Sequence, residues 1–294
     1  MKKYSFIGMA VLFAGCELVV DVDVPVEPPV LTLNAFMIQD SIWSAKLSLS
    51  RHILDEADHQ PVTDGLVVMY QGDHAVDTLV GDGNGLYTGD NTPVPGEAYE
   101  IRATSATYGV VRGTSYIPLP VEIGSVEVDL PDGPGPGGSF VDKFFIKLRM
   151  KDRAGEENFY QIAAFVEKRW RDGRTGETQI TRRMLLMSSK DPSIDNENVG
   201  SSEGIFFKDL LFDGREITLS LESEYWQIQS GPARVFFFLR TISEDFYRYK
   251  TTALLQNETS GNPFAQPAGV YNNIENGFGI FGGFSQSFFV YEKK

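Results

Sequence analysis

Residues 44–51 read SAKLSLSR. Ala45, Leu47 and Leu49 fall on one side of an extended chain, and Lys46, Ser48 and Ser50 fall on the other. A period of two is the mark of a strand with one face in a core and one in water. The same signature lies on both sides of this stretch. Upstream, VLTLNAFM (30–37) puts β-branched and apolar residues in short alternation. Downstream, GLVVMYQ (65–71) is a buried-type run, and GDGNGLYTG (81–89) sets turn residues around Leu86 and Tyr87. GEAYEIRATS (96–105) places Tyr99 and Ile101 opposite Glu100 and Arg102, and GVVRGTSYIP (109–118) closes the series. Strands about ten residues apart, divided by Gly, Pro and Asp turns, predict an immunoglobulin-like sandwich of about seven strands over residues 30–120.

The pattern restarts after Pro118–Pro120, and EIGSVEVDL (122–130) opens a second unit assigned to residues 121–294. PDGPGPGGS (131–139) holds neither a strand nor a helix interior and reads as a connector. FFIKLRMKD (144–152), NFYQIAAFVEKRW (158–170), TQITRRMLLMSS (178–189), GIFFKDLLF (204–212), EITLSLES (216–223) and ARVFFFLRTIS (233–243) again favour strands. One helix is predicted, over 243–257. Ser243 is its cap, Glu244 and Asp245 suit the positive end of its dipole, and Ile242, Phe246, Tyr249, Ala253 and Leu254 recur at helical spacing. The expected fold is therefore mostly β: an N-terminal immunoglobulin-like sandwich, then a second β-rich domain with one helix near its C-terminal end.

The N-terminus carries an address. Lys2 and Lys3 precede an apolar run from Tyr4 to Phe13, followed by Ala14, Gly15 and Cys16, the chain's single cysteine. Charge, a short apolar region and small residues form the grammar of an export signal, here residues 1–15. About ten apolar residues are too few to cross roughly 30 Å of hydrocarbon, and no later run reaches that length. The block Phe13-Ala14-Gly15-Cys16 resembles the bacterial lipobox, with Phe13 where Leu is preferred. The resemblance implies that Cys16 becomes the first mature residue and carries lipid. Several acyl chains, as bacterial lipoproteins carry, anchor stably where one holds marginally. Residues 16–29, with alternating Val and acid and then Pro25, Glu27, Pro28 and Pro29, read as a stiff tether. With no second cysteine, a disulfide cannot support the fold.

Composition narrows the function. Hydrophobic residues make up 42% and charged residues 22% of the chain, which is ordinary for a protein with a sizeable core. The formal net charge is −14, and residues 16–120 hold four Lys or Arg against fifteen Asp or Glu. Such a chain repels a phosphate backbone, so nucleic acid is not expected as a partner.

The tail is the most distinctive stretch. ISEDFYRYKTTALLQ (242–256) followed by NPFAQPAGVYNNIENGFGIFGG (262–283), together with CELVVDVDVP (16–25), PVLTLNAFM (29–37), GLYTG (85–89) and PGEAYEIRA (95–103), resembles the DUF4249 family of Bacteroidota lipoproteins. The resemblance implies a secreted protein anchored in the outer membrane, and the acidic residues just after Cys16 (Glu17, Asp21 and Asp23) resemble surface-export signals, which implies exposure at the cell surface. The family resemblance also implies the company of a TonB-dependent outer-membrane transporter. The family brings no catalytic residues.

The residues themselves give little chemistry. His52, Asp55, Glu56, Asp58 and His59 crowd one polar segment that reads as a solvated loop. Asp82, Asn84 and Asp90 lack the later bidentate acid of a calcium loop; a glycine-rich turn accounts for them, with Gly83 and Gly85 at positive φ. Asp213-Gly214 reads as a hairpin turn. No catalytic constellation, metal site or cofactor site is predicted, so the chain is expected not to be an enzyme. The functional expectation is a lipid-anchored binding protein that captures a ligand of unread identity for a transporter. A structural or adhesive surface protein is the alternative, and a hydrolase with a dispersed site is the weakest reading. Partner-binding candidates are Trp170, flanked by Lys168, Arg169 and Arg171, and three tail rings, Phe278, Phe281 and Phe284. In the structural reading of the tail, those rings pack inside the second domain on a glycine-bent strand.

Overall fold

The computed structural model describes residues 27–52, 55, 58–131, 143–191, 194, 203–228, 231–259 and 268–293. Cys16, the export signal, most of the tether, Glu56 and the 132–139 part of the connector lie outside these residues.

Seven strands follow one another in the first half: β1 (Leu31–Ile38), β2 (Ser44–Leu49), β3 (Leu66–Gln71), β4 (His74–Gly81), β5 (Leu86–Thr88), β6 (Ala98–Ser105) and β7 (Gly109–Tyr116). They are ordered β1-β2-β5-β4 in one layer and β3-β6-β7 in the other, with β4 pairing both β5 and β3 at the side. This is the immunoglobulin strand arrangement. Alternation builds the core. Leu31, Leu33, Ala35 and Met37 of β1 and Ala45, Leu47 and Leu49 of β2 meet Val67, Met69, Tyr99, Ile101, Ala103 and Val111 from the facing layer. Ser48, expected on the wet side of β2, is buried because it forms a bridge with Pro61, whose segment passes over it. Tyr99 caps the corner before β6: its hydroxyl accepts the Val94 N–H at 3.0 Å, and its ring stands edge-on to Trp43 at 4.9 Å.

The chain leaves this core at Ile117 and enters a second at Val121. One layer of the second sandwich is a four-stranded sheet, ordered β12-β14-β9-β8. It comprises β8 (Ile123–Asp129), β9 (Lys143–Lys151), β12 (Met187–Ser189) and β14 (Glu216–Glu224). The other layer contains β10 (Phe159–Arg171), β11 (Thr178–Met184), β13 (Ile205–Lys208), β15 (Ala233–Ile242) and the last strand, β17 (Phe278–Lys293). The short β16 (Ile274–Glu275) pairs with β7.

β17 joins the two sandwiches. Its first half runs parallel to β1, from Thr32↔Phe278 to Ile38↔Phe284. Its second half runs antiparallel to β15, from Ile242↔Phe284 to Ala233↔Lys293. One ladder of 13 strands therefore runs through both units. The tail, assigned from sequence to the second domain alone, is shared. Phe281 packs in the first core and Phe284 in a third cluster at the junction, so neither ring sits in the second sandwich's own core. Phe278 is 55% exposed and packs in no core, against the expectation of a buried ring.

Glycine spacing explains the parallel pairing. A Cβ on Gly277 would lie 2.4 Å from the Leu31 oxygen, one on Gly279 2.0 Å from the Leu33 oxygen, and one on Gly283 2.5 Å from the Tyr116 oxygen. Only glycine lets this strand press so closely against β1 and the end of β7.

The helix α1 (Glu244–Thr259) covers the junction. Ser243 Oγ accepts the N–H of Phe246 at 3.2 Å and that of Gly283 at 3.0 Å, so one hydroxyl both caps the helix and ties it to β17. Phe246 and Tyr247 then pack with Phe159, Phe206, Ile242 and Phe284. Among the described residues, no helix is long and apolar enough to cross a membrane.

A candidate binding groove at the open end of the second sandwich

β10 is longer than the core it serves. On its inner face Tyr160, Ile162, Ala164 and Val166 are buried, Lys168 is half-buried, and Trp170, two residues further out on the same face, is 52% exposed. Register with β11 sets Arg183 beside Val166 and Thr181 beside Lys168. These side chains form one wall of a cavity of about 450 Å³, within the usual range for small-molecule sites. Met184 and Leu186 continue that wall, and Trp226 and Gln227 provide the other.

The opposite wall is a single 3-10 turn, Tyr225–Gln227, that ends β14. Gln227 fixes it in place. Its Oε1 accepts the Leu186 N–H at 3.0 Å, and its Nε2 donates to the Leu186 oxygen at 3.1 Å and to Ser223 Oγ at 3.0 Å. The Trp226 ring is left 57% exposed at the mouth.

Charge is sorted across the sheet. Among the described residues lining the groove, Lys168 and Arg183 are the charged ones, and no carboxylate is present. Burial pulls the Lys168 ammonium below its ordinary value, and the neighbouring charges of Lys293 and Arg183 pull the same way. The acid lies on the back of the ribbon. Glu167, only 2% exposed, accepts from Arg169 at 2.9 Å and from Arg182 at 3.0 Å, with Arg234 at 3.6 Å. The bonds from Arg182 and then Arg169 hold its carboxyl below the usual range. Glu167 thus links β10, β11 and β15 behind the groove, and Lys168 and Arg183 lie on its front.

Of the sequence candidates, Trp170 is not among the residues that line this groove; it lies two residues beyond Lys168 on the same face of β10. Among the described residues no cation stacks on its ring: Arg169 turns to Glu167, and Arg171 donates to the Gly176 oxygen at 2.9 Å. The tail rings lie elsewhere, at the first core and the junction. Arg183 and Trp226 were not singled out from sequence. The available signal was a second tryptophan on a polar segment and the paired arginines of TQITRRM.

Asp152, Asp209 and Asp213 form the acidic group among the described residues whose oxygens lie within 4.8 Å of one another. Each already has a donor. Asp152 accepts from the Tyr160 hydroxyl and from the Gly214 N–H at 2.7 Å. Asp209 accepts from the Asn158 N–H at 3.0 Å, and Asp213 from the Gly155 N–H at 2.9 Å. Burial pushes the Asp209 carboxyl up, the Asn158 bonds oppose this, and the charges of Asp152 and Asp213 add to the rise. The cluster staples the β9–β10 turn to the β13–β14 connection. Gly214 has the expected turn conformation, φ +69, but the turn is a crossover between sheets and not a hairpin, since β13 pairs β10 and β14 pairs β9.

The other polar segments are turns and loops. Asp82 Oδ1 accepts the N–H groups of Asn84 and Leu86, with Gly83 and Gly85 at φ +82 and +81. Asp90 is tied through its N–H to Asp77. Asp55, Asp58 and His59 are exposed, and His52 is partly so.

The arrangement defines a mostly-β protein of two fused sandwiches and one helix, with a cleft at one end lined by Lys168, Arg183 and Trp226. The chain belongs to the family described as Domain of unknown function (DUF4249), whose model matches residues 17–288. A comparison with curated proteins gives no match.

Proposed function

We propose that this chain is a lipid-anchored binding protein of the outer membrane, facing the cell surface, that captures a small ligand and passes it to a TonB-dependent transporter. The observation that carries the reading is the groove: a cavity of ligand size with fixed walls, convergent cations and an exposed indole at its mouth. Its lining offers recognition without an acid–base pair, which suits capture and release better than bond cleavage. The Cys16 junction supports the anchor, and the Val- and Pro-rich segment after it supports a body held off the bilayer. Anchoring beside a transporter raises the effective concentration of a captured ligand at the channel.

Affinity purification of the full chain from native membranes tests this. An outer-membrane transporter should co-purify in a fixed ratio. A chain recovered alone, with surface adhesion lost on its deletion, would replace the transport reading with the adhesive one.

A further inference from the structure

We propose that the open edge of β11 binds a short acidic peptide as an added strand: the peptide main chain pairs with Thr178, Ile180 and Arg182, and its alternate side chains enter the groove toward Arg183. This rests on reading the groove as the ligand seat and names the class of ligand. The edge makes the argument. β11 ends the 13-stranded ladder and pairs with β10 alone. Hydrogen bonds from the Leu185 N–H to the Ala164 oxygen at 2.8 Å and from the Asp172 N–H to the Glu177 oxygen at 2.9 Å fix the phase of that pairing. In an antiparallel ladder Gln179, Thr181 and Arg183 therefore turn their main-chain groups to β10, and Thr178, Ile180 and Arg182 turn theirs outward. Among the described residues nothing bonds those outward groups. Such a row is a template for another strand. The side chains then set the two faces of the added strand. Thr181 and Arg183 lie on the groove side, and the groove lining is half polar: Lys168, Thr181, Arg183 and Gln227 against four apolar residues, Trp226 among them. A carboxylate entering there meets the Arg183 guanidinium, which forms no ion pair among the described residues. On the other face Ile180, 51% exposed, and the stem of Arg182 offer apolar side chains a place to pack. Formal charge favours the same sign of ligand, whatever each cation is bonded to: residues 168–184 hold six Lys or Arg against two Asp or Glu in a chain of net charge −14. A second copy of β11 would bring two more arginines to this edge, whereas an acidic strand sets opposite charges across the pair.

The probes are a capped heptapeptide of alternating valine and aspartate and its counterpart with lysine for aspartate, titrated by calorimetry into the purified full chain with a detergent-matched blank. The acidic peptide should bind at one saturable site, about tenfold or more tighter than the lysine peptide. Raising salt should narrow that gap. Two N-methylated forms of the acidic peptide read the main chain, one blocked at every valine amide and the other at every aspartate amide. Successive amides of a strand point to opposite sides, so one form should lose about tenfold or more and the other stay within about threefold of the parent peptide. Ile180→Pro removes an outward N–H and leaves the bonds to β10 in place, so it should abolish binding while a melting curve shows the protein folded. Arg183→Glu should reverse the preference between the acidic and lysine peptides. Equal effects of the two methylated forms would show that the main chain is not read and would overturn the proposal, with no variant needed. Acid preference that survives Arg183→Glu would place the carboxylates elsewhere and overturn it too. Binding of neither peptide would overturn it as well, and light scattering then shows whether a second copy occupies the edge instead. Transporter co-purification, which needs no peptide, tests the underlying functional reading separately.

Discussion

Gly279→Ala isolates the contact that holds the two sandwiches together. Gly279 has φ +126, a conformation that L side chains rarely adopt, and forcing alanine into it costs about 1–3 kcal/mol. The new methyl would also sit 2.0 Å from the Leu33 oxygen and 2.7 Å from its carbonyl carbon. Both are backbone atoms, so relief requires β1 and β17 to separate, at a further cost of about 1–3 kcal/mol. The total is about 2–6 kcal/mol against a typical stability of ~5–15 kcal/mol. For a chain of this size it should lower Tm by roughly 5–20 °C. Gly72→Ala is the control. Gly72 also has positive φ, +58, but nothing lies within 4 Å of its would-be Cβ. It should cost only the left-handed penalty, about 1–2 kcal/mol. Urea melts of the two variants beside the parent decide the matter. If Gly279→Ala costs no more than Gly72→Ala, the close approach of β17 to β1 is wrong.

Three further outcomes are expected. Phe281→Ala should cost about 3–5 kcal/mol because the ring is 1% exposed in the first core, whereas Phe278→Ala should stay within about 0.5 kcal/mol; equal losses would contradict the placement of the tail. Asp209 and Glu167 should give opposite pH slopes. The raised Asp209 carboxyl favours the fold below its unfolded value, and that contribution is lost as pH rises through its folded value, so Asp209→Asn should gain on the parent from about pH 4 upward. The lowered Glu167 carboxyl stabilises above its unfolded value, and that is lost as pH falls through its folded value; Glu167→Gln should be weaker at neutral pH and converge with the parent in acid, and pH-independent gaps in Tm for both variants would refute the assignments. Cys16→Ser should move the protein from the detergent phase to the aqueous phase on fractionation, and a variant that stays membrane-bound rules out the anchor.

Local signals made much of the fold legible. Alternation in β1, β2 and β6 marked the first sandwich because one face of each strand is buried, so the period survives in the residue types. Ser243 announced the helix because a cap uses a neighbouring N–H. Partnerships between distant segments were not legible. The glycines of the tail signalled close approach but not its object; β1 lies nearly the whole chain away, and nothing in NGFGIFGG names it. Asp213-Gly214 signalled a turn, yet whether a turn returns to the same sheet depends on where β13 and β14 find partners. The groove was half visible, since Lys168 flanks the tryptophan that drew attention to β10, while Arg183 comes from β11 and Trp226 from the turn after β14, and the three meet only in the folded protein.

The shared strand also limits how the groove can work. Phe284 pairs with Ile38 of the first sandwich and with Ile242 of the second, so the ladder passes the junction without a break. The helix secures the same place from outside: Phe246 lies 5.4 Å from Phe36 of β1, Tyr247 5.0 Å from Phe159 of β10, and Asp245 accepts the Ser115 hydroxyl of β7 at 2.6 Å. Bending the units apart would break ladder hydrogen bonds and open an aromatic cluster together, so hinge closure over a ligand is disfavoured. Lys168 lies nine residues beyond Phe159, roughly 30 Å along β10 from this junction. On the proposed reading, ligand entry at that distance depends on the groove's own walls, above all the turn that Gln227 fastens to Leu186. The two sandwiches should accordingly melt as one unit. Scanning calorimetry should give a single transition whose calorimetric and van't Hoff enthalpies agree, and Gly279→Ala should lower that one transition instead of splitting it. Two separable transitions in the parent would show that the strand does not couple the units, and the rigid-body account of capture would fail with it.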